Sequence, residues 1–219
     1  MVFCIVTDGN LGGAVLPECD AAVFGFGALG DVDYEKELKG ETEKFEEAVR
    51  LSKSGQCGLI CGCRTLSRGT LRKSAAVADR GKLLGISDMV HVLDGEEYKS
   101  GSSVGLYKVN GCKIGVCIEN DLSFPDTFKS LATCGCNAAV VLLEEIKDNI
   151  PTLLIRAYSY LYGMPVVMVA GKTAYFADTT GAIASSTQKI TVFEVVFQNR
   201  YRLVTTRAKG ITSEVRADY

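Results

Sequence analysis

The sequence has almost no excess of charge of either sign: 24 Lys and Arg face 26 Asp and Glu, for a net charge of −2. That balance gives no electrostatic basis for a nucleic acid or an anionic membrane as partner. No stretch approaches the roughly 18 to 20 apolar residues needed to span a bilayer. The first ten residues, MVFCIVTDGN, have no basic region, and their apolar run stops at Thr7-Asp8. No secretory leader is expected, and the cytoplasm is the expected compartment. Internal repeats, linkers and low-complexity segments are also missing. Histidine is nearly absent, with His91 the only one.

Against these absences stand nine cysteines: Cys4, Cys19, Cys57, Cys61, Cys63, Cys112, Cys117, Cys134 and Cys136. An odd count in a long chain without an export signal argues against a disulfide framework. Cys61/Cys63 and Cys134/Cys136 are spaced C-G-C, whereas a zinc site wants C-x₂-C spacing with supporting histidines. No metal and no cofactor is expected, and most of the thiols read as small buried hydrophobes.

Hydrophobic residues make up 47% of the 219, enough for one large core, and a single domain over 1–219 is expected. Short apolar runs alternate with polar helical segments. Residues 3–6, 21–26 and 57–63 read as buried strands, and 35–53 as one amphipathic surface helix with Gly40 its weak point. Segments 74–79 and 82–87 flank Arg80-Gly81, and 103–109 and 113–119 flank Asn110-Gly111; both read as hairpins. A helix is expected over about 126–134, a buried strand at 137–144, and a helix at 150–162 with Pro151 in its first turn. Strands at 165–171, 173–178 and 189–197 follow, with Thr180-Gly181 a turn. Residues 210–219 read as a tail or an interface arm. Hairpins mixed with strand–helix–strand units predict an α/β (α+β) layered protein with mixed sheets.

Residues 111–139, GCKIGVCIENDLSFPDTFKSLATCGCNAA, resemble the signature of the carbon–nitrogen hydrolase (nitrilase) superfamily. That signature is a G-x-K-I-G-V-x-I strand, the nucleophile, aromatic-D-L-x-F-P-E, a helix and G-A-D. Lys113, Ile114, Gly115, Val116, Ile118, Asp121, Leu122, Phe124, Pro125, Gly135 and Ala138 fall in register. Segments 19–30, 74–91, Arg156-Ala157 and 175–185 resemble other family segments in the same order. The resemblance implies a four-layer αββα sandwich. The short interval before Cys19 implies that the first helix is missing.

The resemblance also implies a Glu–Lys–Cys triad: a thiolate attacks the amide or nitrile carbon, a carboxylate takes the proton, and an ammonium steadies the oxyanion. The positions that should carry it hold Phe26, Met89 and Glu119. A phenylalanine accepts no proton, a methionine carries no charge, and a carboxylate is a far weaker nucleophile toward an amide. The expectation is a catalytically inactive carbon–nitrogen hydrolase-like protein with a binding or assembly role, and a small-molecule ligand in the former pocket. The alternative is an amidase or nitrilase-type hydrolase with rearranged residues, using Glu119 or Cys117, which strand alternation would put on one face. Asp94, Glu96 and Glu97 lie where the family carries an extra glutamate and otherwise read as a solvated acidic loop. His91 reads as a packing or hydrogen-bonding residue. The helix bearing Tyr158 and Tyr162 reads either as core or as an interface, and the resemblance implies a homodimer.

Overall fold

The computed structural model describes residues 1–8 and 11–197. Two mixed sheets pack face to face. The first holds β1 (Val2–Val6), β2 (Ala21–Phe24), β3 (Gly30–Asp33), β4 (Gly58–Ser67), β5 (Thr70–Asp79), β6 (Lys82–Asp88) and β13 (Ile190–Glu194), in the order β13-β1-β2-β4-β5-β6, with β3 pairing further along β4. The second holds β7 (Gly105–Val109), β8 (Cys112–Ile118), β9 (Ala138–Leu143), β10 (Val166–Ala170), β11 (Thr173–Ala177) and β12 (Ile183–Ser186), ordered β12-β11-β10-β9-β8-β7. Helices α1 (Tyr34–Lys39) and α2 (Lys44–Ser54) belong to the outer side of the first sheet, and α3 (Pro125–Thr133) and α4 (Ile150–Tyr162) cover the second. This is the expected αββα sandwich. Among the described residues no helix lies between β1 and β2, as the short interval implied.

Alternating side chains build the three apolar layers. Ile114, Val116 and Ile118 of β8 enter the layer between the sheets, together with Ile60, Ala75 and Val77 of the first sheet. Cys117 of β8 points the other way, against Phe128 and Leu131 of α3 and Ile155 of α4. Two glycines permit close approaches. A Cβ on Gly115 would lie 2.6 Å from Leu131, so its absence lets α3 settle on β8. A Cβ on Gly62 would meet the Phe26 backbone at 3.0 Å, so its absence lets the chain leaving β2 pass over β4.

The structure corrects several expectations. The helix predicted over 35–53 is two helices: Asp33 caps α1 by accepting from Glu35 N and Lys36 N, and Gly40 ends it at φ 69°. The turn at Arg68-Gly69, which joins β4 to a longer β5, was not expected, nor were β3 and β12. The strand expected over 103–109 begins at Gly105, and that over 189–197 is confined to Ile190–Glu194, paired antiparallel with β1. Residues 210–219 lie outside the described residues. No helix among the described residues is long and apolar enough to cross a membrane.

Candidate functional site

β8 and β9 run parallel, and their C-terminal ends bring Glu119 and Glu144 to one rim of the sandwich. Across from them, β4 and β5 pair antiparallel with Arg64 directly opposite Lys73. Two cations facing each other on adjacent strands repel. Here Glu144 reaches across from the second sheet and binds both, with one oxygen on Arg64 Nη2 and the other 3.1 Å from Lys73 Nζ. Lys73 Nζ also donates to Glu119 Oε1 at 3.1 Å, and Arg64 Nη1 to Asp31 at 3.3 Å. The result is an alternating chain of charge, Asp31–Arg64–Glu144–Lys73–Glu119, joining the two sheets.

Glu119 is the residue this rim holds most tightly. It begins a 3₁₀ turn, Glu119–Ser123, at φ 47°, a left-handed conformation that non-glycine residues seldom adopt. The turn breaks the alternation of β8 and carries the carboxylate toward Lys73. The same oxygen, Oε1, accepts the Glu144 backbone N–H at 2.8 Å. Burial pushes the Glu119 carboxyl above the usual carboxylate range, against the opposing pull of that N–H and of Lys73. Glu144 lies below its ordinary value, because Lys73 and Arg64 outweigh the effect of burial. Burial works against the Lys73 charge, yet Glu119 and Glu144 hold its pKa above the ordinary value.

The three positions singled out in the sequence do converge, and they converge on Lys73. Glu119 pairs with its ammonium. The Met89 backbone N–H donates to the Lys73 carbonyl at 2.8 Å, which makes Met89, the residue just after β6, its neighbour. The Phe26 ring centroid lies 5.9 Å from Lys73 Nζ, and the Tyr98 ring 5.2 Å on another side. Met89 and Phe26 themselves are buried in the layer between the sheets. The expectation that this position had lost every cation therefore did not anticipate Lys73. Its sequence signal is its phase: Lys73 alternates with Ala75 and Val77, the inward-facing residues of β5.

Cys117 stands apart. It is fully buried against α3 and α4, and burial holds its thiol well above the ordinary value. The expected common face with Glu119 is absent because β8 ends at Ile118. Cys61 and Cys63 are buried side by side on the outer face of β4, and none of the nine cysteines is joined in a disulfide. No group of metal-ligating side chains occurs among the described residues.

Two clefts flank Glu144. One, of about 460 Å³, is lined by Lys73, Glu119, Glu144 and the loop residue Glu96 on one side and by Leu122, Pro151 and Leu154 on the other. The second, of about 490 Å³, lies beyond Arg64 and is lined by Thr7, Gly25, Phe26, Gly27, Asp31 and Gly171. Glu96 accepts from Asn120 Nδ2 at 3.0 Å, which ties the acidic loop to the 3₁₀ turn, while Asp94 and Glu97 are exposed. Behind that turn, buried Asp121 accepts from Val90 N, His91 N, His91 Nδ1 and Ile118 N, and the His91 ring stacks on Phe124 with centroids 3.8 Å apart. His91 thus packs and hydrogen-bonds, as expected. Tyr158 is core, stacked on Phe128 at 4.3 Å.

No protein-family model matches the sequence, and no curated protein is significantly similar to it. Solved structures are similar in fold. A carbon–nitrogen hydrolase from Helicobacter pylori G27 superposes with a TM-score of 0.71 over 90% of this chain and 89% of its own, at 14% identity. A cysteine-to-alanine mutant of a nitrilase-superfamily amidase from Nesterenkonia AN1 gives a TM-score of 0.67 over 88% of each chain, at 12% identity. A second mutant of that amidase, bearing acrylamide added to its active-site cysteine, gives 0.66 over 90% of this chain and 93% of its own, at 11% identity. This chain therefore has the fold of the carbon–nitrogen hydrolases.

Proposed function

We propose that the protein is a non-hydrolytic carbon–nitrogen hydrolase-like protein that binds a small cationic molecule in the cleft at Glu119 and acts as a pair of identical chains. One observation carries the first half. The position that the resemblance assigns to the nucleophilic thiol holds a carboxylate that is already engaged by Lys73 and the Glu144 N–H. The nearest thiol in sequence, Cys117, is sealed in the layer beneath α3 and α4. An attacking sulfur is thus absent from the cleft, whereas the structural neighbour from Nesterenkonia has an active-site cysteine that takes up acrylamide.

The lining indicates what the cleft would hold. Glu96, Glu119, Glu144, Glu145 and Asp148 outnumber the lining cations Lys73 and Lys147, even with Arg64 pairing Glu144 from behind, beside an apolar wall of Leu122, Leu143, Ile150, Pro151 and Leu154. An amine with a short apolar body suits such a lining. Pairing is supported by α4, whose outer face leaves Ile150, Leu153 and Leu161 about half exposed, at 50%, 47% and 53%. These residues recur at helical spacing, with Ala157 and Tyr160 also exposed on that helix.

The test joins a hydrolysis screen with binding. Simple amides, nitriles and N-carbamoyl compounds are expected to show no turnover. A panel of primary alkyl and aryl amines is expected to raise the melting temperature, and Glu96→Gln to weaken that effect. A second reading rests on Glu119 itself: a buried carboxyl with a raised pKa beside an ammonium can serve as a general acid or as a carboxylate nucleophile. Turnover lost in Glu119→Gln and kept in Cys117→Ala would favour it over the non-hydrolytic reading.

A further inference from the structure

The carboxylates that line the cleft at Glu119 are not equally able to receive a cation. Glu119 and Glu144 share Lys73, and Glu144 also holds Arg64. Glu145 is paired with Lys147 at 3.0 Å. Asp148 accepts the Ile150 N–H at 2.8 Å and so commits one oxygen to the first turn of α4. Glu96 differs. Its donors are the Asn120 side-chain amide, 3.2 and 3.0 Å from its two oxygens, and the Leu93 N–H at 3.1 Å. Both donors are neutral, and among the described residues no cation pairs with Glu96. A neutral donor orients a carboxylate without cancelling its charge, whereas an ammonium or guanidinium does both.

Each side of this contact is fixed by its own segment. Asn120 lies between two anchored residues of the 3₁₀ turn: Glu119, bound to Lys73 and to the Glu144 N–H, and buried Asp121, which accepts from Val90 N, His91 N and Ile118 N. Glu96 closes a turn in the loop between β6 and β7, donating its N–H to the Leu93 carbonyl at 3.2 Å. Gly95 stands in that turn at φ 89°, a left-handed position that glycine takes without strain. Glu96 itself is exposed, while Leu122 and Leu143 of the cleft wall are buried. The uncancelled charge therefore stands at the mouth and the apolar wall lies within.

We propose that Asn120 is the positioning residue of this cleft. Its side-chain amide fixes the Glu96 carboxylate, and Glu96, rather than Glu119, receives the cation of the ligand. The ligand class follows from that placement: a primary ammonium whose head stays at the mouth on Glu96 and whose apolar body points inward onto Leu122, Leu143 and Leu154. This rests on the reading of the cleft as an amine site and adds which carboxylate reads the charge and what holds it.

The experiment titrates the whole chain, labelled with ¹⁵N, with n-butylammonium chloride and follows its amide resonances. Saturable shifts are expected in the wild type, and they include the Asn120 side-chain amide. Glu96→Gln is expected to raise the Kd about two- to fivefold, the size of an exposed ion pair. Asn120→Leu should raise it by a similar factor although the net charge is unchanged. Glu97→Gln removes the same charge one residue along the loop, outside the lining, and should leave the Kd where it was. The double variant Glu96→Gln/Asn120→Leu should bind no more weakly than Glu96→Gln alone, because Asn120 acts through Glu96. Thermal melts establish that each variant is folded. Should Asn120→Leu not fold, the wild-type shift at the Asn120 amide and the contrast between Glu96→Gln and Glu97→Gln decide. Wild-type affinity in Asn120→Leu, a further loss in the double variant, an unmoved Asn120 amide, or equal weakening by Glu97→Gln and Glu96→Gln overturns the inference and leaves the amine reading of the cleft standing. A wild type that shows no saturable binding overturns both.

Discussion

Replacing Lys73 by methionine tests the charge chain most directly, because methionine keeps most of the apolar stem and removes the ammonium that lies over the Phe26 and Tyr98 rings. The side chains of Lys73, Glu119 and Glu144 are 13%, 16% and 29% exposed, so the pair is mostly but not wholly shielded from water. Taking one partner from a fully buried ion pair costs about 3–5 kcal/mol, because the remaining charge is left without compensation. Glu144 retains Arg64, and Glu119 retains the Glu144 N–H, so about 2–4 kcal/mol at pH 7.5 is the expected loss. That is a large share of the roughly 5–15 kcal/mol that holds a typical domain together, yet the variant should still fold.

The pH dependence separates charge from packing. Burial already raises the Glu119 pKa in the folded protein, and removing Lys73 raises it further. A carboxyl with a raised folded pKa binds more protons folded than unfolded, so its stability contribution falls as pH rises from the ordinary carboxyl value through the folded one. Glu144 behaves oppositely in the wild type: its lowered pKa gives stability that is present above the ordinary value and lost as pH falls. Methionine at position 73 removes one source of that lowering. The gap between wild type and variant should therefore be widest at pH 7.5 and shrink toward pH 4, as Glu119 takes up a proton. Urea unfolding at the two values measures it. An equal gap at both, or none at either, would refute the claim that Lys73 acts through its charge.

Met89→Lys puts an ammonium in the layer between the sheets with Lys73 on the neighbouring strand; a loss of about 3 kcal/mol or more is expected in thermal unfolding, and a neutral result would mean the position opens onto the cleft. Gly62→Ala presses a methyl against the Phe26 backbone and should cost about 1–3 kcal/mol, read from the urea midpoint. Leu153→Asp on the outer face of α4 should leave the fold intact and shift a dimer to monomers in analytical ultracentrifugation, whereas a wild-type monomer at micromolar concentration would remove the pairing proposal.

The layered fold was legible because its signals are local. The Asn110-Gly111 turn, the apolar runs at β8 to β10 and Pro151 at the start of α4 each act within a few residues, and each appears where expected. What was missed depends on partners distant in sequence. β3 and β12 are four-residue strands with little apolar content, held by pairing with β4 and β11. The single helix expected over 35–53 failed because Gly40 can take the left-handed turn that ends α1. Glu119 was legible as the residue at the end of β8, but its cation was not. Lys73 lies 16 residues before Met89 in sequence and beside it only through the pairing of β5 with β6.

That displacement bears on what it would take to give this cleft a nucleophile. A scan by position finds three losses and treats them as independent, so restoring each residue in place looks sufficient. In the folded chain the rim is a closed electrostatic unit: Glu144 holds the opposed Arg64 and Lys73 together, and Lys73 in turn holds Glu119. Glu119→Cys alone removes one carboxylate from the Lys73 ammonium and leaves Glu144 as its main counter-charge. It supplies no base, because Glu144 is kept ionised and engaged by two cations, and its lowered pKa makes it a weak proton acceptor. Adding Met89→Lys sets a second ammonium beside the first, and Phe26→Glu places a carboxylate in an apolar layer. The triple replacement is therefore expected to unfold more readily than wild type and to hydrolyse none of the amides that a thiol nucleophile would attack. A continuous amidase assay beside a thermal melt measures both outcomes. Measurable turnover in a folded triple variant would show that the rim tolerates the exchange and that Lys73 does not dominate it.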